Sequence, residues 1–65
     1  MRIEVNGEPR ETRAGSLAEA VAELGLGEAA VATALNGDFV PRGARAGVRL
    51  SEGDRIEIVA PMKGG

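Results

Sequence analysis

The sequence predicts a two-layer α+β domain, in which one helix lies across one small sheet. Three observations lead there. A single segment, Ser16 to Leu24, carries helical periodicity between a start signal and a stop signal. Two Asn-Gly pairs, Asn6-Gly7 and Asn36-Gly37, follow short strand-like runs and mark turns. The run Arg55 to Ala60 alternates with a period of two, as a half-buried strand does.

Each element has its own local reason. Arg2-Ile3-Glu4-Val5 alternates polar and apolar and reads as the first strand. Asn6-Gly7 turns the chain, because both residue types tolerate positive φ. Glu8 to Arg13 reads as the return strand. Pro9 cannot donate to a ladder, so this strand belongs at a sheet edge. Ser16-Leu17-Ala18-Glu19 forms a capping box: the Ser hydroxyl serves the N3 amide, and the Glu reaches back to the cap. Leu17, Val21 and Leu24 then form one stripe of a helix spanning Leu17 to Leu24. Gly25 stands where a left-handed residue ends such a helix.

Ala30 to Leu35 reads as a strand, with Val31, Thr33 and Leu35 on one face and three alanines on the other. Asn36-Gly37 turns the chain again, and Phe39-Val40 begins a return that Pro41 stops. Residues 42–47 read as loop, and Val48-Arg49-Leu50 as a brief strand. Ser51-Glu52-Gly53-Asp54 is turn chemistry. In the last strand Ile56, Ile58 and Ala60 share one face, and Arg55, Glu57 and Val59 the other. The predicted core is Ile3, Val5, Leu17, Val21, Leu24, Leu35, Val40, Leu50, Ile56 and Ile58. The expected organisation is one domain over residues 1–61, followed by a flexible tail over 62–65.

Composition excludes several functions. The 65 residues contain no cysteine and no histidine, so disulfides, thiolate metal sites and His-based catalysis are absent. So short a chain offers little concavity for an active site, which argues against an independent enzyme. The net charge of -2 and the single aromatic, Phe39, argue against nucleic acid as a partner. No apolar run approaches the length of a membrane span and no signal peptide opens the chain, so a cytoplasmic protein is expected. Charge is uneven. Residues 1–41 carry three basic and seven acidic groups, whereas residues 42–65 carry five basic and three acidic ones.

The chain closes on Gly64-Gly65. Two residues without Cβ can thread a channel that other pairs would block. The group they present is the Gly65 carboxylate. An inert flexible tail is the alternative. Val59 breaks the polar face of the last strand, and with Phe39 and Met62 it would form an apolar docking patch near the tail. Phe39 filling the edge of the core is the competing assignment. Lys63 either offsets charge on an activated terminus or simply solubilises the tail.

Three stretches resemble one family. They are Asn6-Gly7-Glu8-Pro9-Arg10-Glu11, Ala34-Leu35-Asn36-Gly37-Asp38-Phe39-Val40-Pro41-Arg42, and Glu52-Gly53-Asp54-Arg55-Ile56-Glu57-Ile58-Val59 with the terminal Gly64-Gly65. In order and spacing they are similar to the ThiS family, the small sulfur carriers of thiamine thiazole synthesis. The diglycine and the Gly-Asp turn are shared with the wider ubiquitin-like carriers, including MoaD.

The resemblance implies a β-grasp fold, with a mixed sheet whose first and last strands run side by side and parallel. It also implies a chemistry. A ThiF-like adenylating enzyme of the ubiquitin-activating type would use ATP and Mg²⁺ to join AMP to Gly65, while the carrier itself binds no cofactor. A persulfide sulfur, drawn from a cysteine desulfurase, would displace AMP and leave a thiocarboxylate. A ThiG-like thiazole synthase would take the sulfur. Met62, Lys63 and Gly64 would thread the partner's active site, and Val59 and Phe39 would dock its surface. Three alternatives remain: a carrier for tRNA thiolation, molybdopterin or cysteine synthesis; a ubiquitin-like protein modifier; and a β-grasp binding module with an inert tail.

Overall fold

The structure, a computed structural model, describes residues 1–60. Its elements are β1 (Arg2–Val5), β2 (Glu8–Glu11), α1 (Leu17–Glu23), β3 (Ala32–Leu35), β4 (Asp38–Val40), a 3₁₀ segment (Arg42–Gly47) and β5 (Arg55–Val59). The strands form one sheet in the order β2-β1-β5-β3-β4. β1 pairs with β5 in parallel, and every other pairing is antiparallel. The last strand therefore occupies the centre of the sheet, and the Pro9-bearing strand lies at an edge as expected.

Both Asn-Gly pairs make the expected turns. Asn6 and Asn36 each take φ 51, and Gly7 and Gly37 follow at 84 and 90. Turns with two positive φ values match the twist of the strands they join.

The helix is bounded by its caps. Ser16 is extended, and its hydroxyl accepts the Glu19 amide at 3.2 Å. The return arm of the box differs from expectation. The Glu19 carboxylate accepts the amide of Gly15, at 2.6 Å, one residue before the cap. At the other end Gly25 takes φ 79. The Gly25 amide donates to Ala22 and the Leu26 amide to Val21, the paired bonds of a Schellman ending. Leu17, Ala20 and Val21 face the sheet and pack with Ile3, Ala14, Val40, Leu50 and Ile56.

Several expectations are corrected. Leu24 is the half-buried C-cap and lies outside the core, because the Schellman reversal brings Leu26 against the core instead. β2 ends at Glu11: Met1 and Thr12 exchange one last pair of backbone bonds where the chain starts, and the buried Thr12 hydroxyl donates to Glu23. β3 begins at Ala32 and not at Ala30. Residues 42–47 are the 3₁₀ segment and not open loop. Val48 to Leu50 makes a single bridge, Ser16 with Arg49, in place of a strand.

The corrections at β3 and at residues 42–47 share a cause. Arg42 and Arg45 stand one turn apart on the 3₁₀ segment. Arg42 donates to the carbonyls of Ala29 and Gly27, at 3.1 and 2.9 Å. Arg45 donates to the Val31 carbonyl at 2.6 Å and, through Nε, to Thr33 Oγ1 at 2.9 Å. Guanidinium groups thus satisfy carbonyls ahead of β3 that no neighbouring strand reaches. Arg45 is only 4% exposed, an unusual place for a charge.

Candidate functional site

The face of the sheet opposite α1 has no layer over it among the described residues. Cross-strand partners share a face, so the register identifies its occupants. Ala32 lies opposite Val59, Ala34 opposite Glu57, and Ala34 on its other side opposite Phe39. Thr33, Val40 and Ile56 point the other way and are buried.

Phe39 is 69% exposed and Val59 61% exposed. With Asn6, Ala32, Ala34 and Glu57 they line a shallow hollow of about 280 Å³. Phe39 therefore does not fill the core edge. It stands at the rim of an apolar hollow whose floor is alanine. Small floor residues keep the surface open, and the two large side chains flank it. This surface lies at the outgoing end of β5, where the chain proceeds to residue 61. The remaining predicted site residues, Met62, Lys63, Gly64 and Gly65, lie outside the described residues.

Sequence reasoning missed Asn6 as part of this surface. Its Oδ1 accepts the Ile58 amide at 2.9 Å, and its Nδ2 donates to the Ile58 carbonyl at 3.2 Å. The Asn-Gly pair announced a turn but carried no sign of this contact across the sheet.

The buried polar groups of the described residues are engaged within the fold. The buried polar residues are Thr12, Ser16, Thr33 and Arg45, and each has hydrogen-bond partners within the fold. Glu23 is held below the ordinary carboxylate range, first by the Thr12 hydroxyl and then by the Arg13 amide. That environment serves to join α1 to the end of the first hairpin. Among the described residues no group of three or more carboxylate, imidazole or thiol donors is placed to hold a metal ion. No helix among them is long and apolar enough to cross a membrane.

A single helix on a mixed sheet, a parallel β1–β5 pair and an open apolar face at the end of β5 define a ubiquitin-like β-grasp protein. Within that class the chain belongs to the ThiS family, whose model matches residues 3–65. The family is one of small sulfur carrier proteins. A crystal structure of the thiamine biosynthesis protein ThiS from Geobacter metallireducens superposes with a TM-score of 0.83 at 32% identity, covering all of both chains. A solution structure of a thiamine biosynthesis protein from the same organism gives 0.78 at 29% identity, covering all of this chain and 88% of that one. A thiazole synthase of Paramagnetospirillum magneticum is 39% identical over 66 residues. The match covers this whole chain but only 20% of that relative's length.

Proposed function

We propose that this chain carries sulfur for thiamine thiazole synthesis on the carboxylate of Gly65. The observation that carries the reading is the extent of the family match, which runs through residues 3–65 and so includes the diglycine. The thiazole synthase relative adds support, because its polypeptide contains a segment similar to this whole chain.

The chemistry follows from the weakness of a carboxylate as an electrophile. A ThiF-like partner binds ATP and Mg²⁺. The Gly65 carboxylate oxygen attacks the α-phosphorus, and pyrophosphate leaves. The metal offsets the phosphate charge. A persulfide sulfur, derived from a cysteine desulfurase, then attacks the acyl carbon and AMP leaves. Cleavage of the S–S bond by a thiol frees the thiocarboxylate, which a ThiG-like thiazole synthase consumes. The carrier acts in the cytoplasm as a substrate of these enzymes and is not itself an enzyme.

The fold supplies the docking surface. Phe39 and Val59 offer the apolar contact that anchors a partner, beside the point where residues 62–65 follow. Ordering those residues in a partner's channel costs about 1–2 kcal/mol each, which the patch must offset.

Intact-mass measurement tests the reading. After incubation with the adenylating enzyme, ATP, Mg²⁺ and a persulfide source, the chain should gain the mass difference of one oxygen replaced by sulfur. An unchanged mass would refute the assignment. Higher-mass conjugates to other proteins would make the chain a modifier instead.

A further inference from the structure

We propose that Asn6 is a positioning residue for the carrier reaction, one that holds the outgoing end of β5 and so sets where the terminal segment begins. The proposal rests on the carrier reading above.

β1 and β5 run parallel, with Glu4 beside Arg55 and Val5 beside Ile56. The ladder continues through the Asn6 amide, which donates to the Ile56 carbonyl at 2.9 Å. There the main chain departs, because Asn6 and Gly7 take φ 51 and 84 and turn into β2. β5 runs on to Val59 with β3 on one side. On the other side the Asn6 carboxamide takes over. It accepts the Ile58 amide and donates to the Ile58 carbonyl. One side chain thus reproduces the acceptor and donor that a longer β1 would have offered. It also lines the hollow that Phe39 and Val59 flank.

The other turn asparagine provides a comparison. Asn36 Oδ1 accepts the Arg55 amide at 2.9 Å, and its Nδ2 donates to Asp54 Oδ1 at 3.0 Å. Both ends of β5 are therefore held by a turn asparagine. Asn36 holds the incoming end, remote from the terminal segment, and Asn6 the outgoing end. A purely structural role predicts equal consequences for the two. A positioning role predicts that Asn6 alone affects partner use.

The test uses Asn6→Gly, Asn6→Asp and Asn36→Gly. Glycine accepts positive φ, so both turns survive. Aspartate tolerates that region, accepts from the Ile58 amide and cannot donate to the Ile58 carbonyl. The measurement is exchange of labelled pyrophosphate into ATP by the ThiF-like enzyme, with carrier concentration varied. Asn6→Gly should need about tenfold more carrier for half-saturation at an unchanged maximal rate, since a loosened strand end must be ordered on binding. Asn6→Asp should fall between it and wild type, and Asn36→Gly should match wild type. Native-state hydrogen exchange should show the Ile58 amide opening in Asn6→Gly, with the Ala20 amide of α1 unaffected. Equal shifts for Asn6→Gly and Asn36→Gly, or none for either, would overturn the proposal. Absence of exchange with wild type would instead overturn the carrier reading and this inference with it.

Discussion

The hydroxyl of Thr12 donates to a carboxylate oxygen of Glu23 at 2.5 Å, joining the end of the first hairpin to the last turn of α1. The second carboxylate oxygen accepts the Arg13 amide at 3.1 Å. Thr12 in turn accepts the Ala14 amide through the same hydroxyl. These side-chain bonds add to the backbone pairing of Thr12 with Met1 and of Ser16 with Arg49 in closing the chain between β2 and α1.

That contact makes stability depend on pH. The Glu23 carboxyl is lowered by the Thr12 and Arg13 hydrogen bonds, so the folded state favours its ionised form. Its contribution is fully present above the ordinary glutamate range and is lost as pH falls through the lowered folded value. Urea unfolding of wild type and Glu23→Gln should differ most near neutrality and converge in acid. A constant difference across that range would show that the charge on Glu23 is irrelevant.

Ser16→Ala removes the acceptor of the Glu19 amide at the helix start. The expected loss is about 0.5–2 kcal/mol, read as a drop of a few degrees in melting temperature. Loading of Gly65 at saturating partner should not change. An unshifted melting curve would mean that water replaces the cap without cost.

Arg45→Met keeps the aliphatic stem and removes the donors to Val31 and Thr33. The Val31 carbonyl then loses its partner at a part-buried site. About 1–3 kcal/mol of destabilisation is expected, visible in the melting temperature. Arg45→Lys should recover only part of it, because one ammonium cannot reproduce the fork that reaches both acceptors.

Val59→Asp places a charge on the exposed side of β5, across the β3 alanines from Phe39 and away from Ile56. The fold should survive. Calorimetric titration with the adenylating enzyme should show binding weakened by about tenfold or more, roughly 1.4 kcal/mol. Phe39→Ser should act in the same direction. Wild-type affinity in both variants would remove this face from the interface.

Adding one residue after Gly65 should abolish sulfur loading while leaving the melting curve in place, as the activated carboxylate would then sit on the wrong residue. Intact mass reads the result directly. Sulfur acquired by an untrimmed extended chain would refute Gly65 as the attachment point.

What the sequence determined by itself is local. The Ser16 cap, the Gly25 stop, both Asn-Gly turns and the outward direction of Val59 follow from residues within a few positions of one another. Their φ preferences and periodicities act whatever the rest of the chain does. The diglycine is legible in the same way. The tertiary structure decided everything that needed distant partners. Only the β3–β4 and β3–β5 registers bring Phe39 and Val59 to one hollow. The carbonyls ahead of β3 are met by two arginines that read as loop residues. Asn6 meets Ile58 across a separation of 52 residues. Such contacts form because a buried or crowded backbone group takes whichever donor or acceptor the packed chain brings to it, and no local pattern encodes which one that will be.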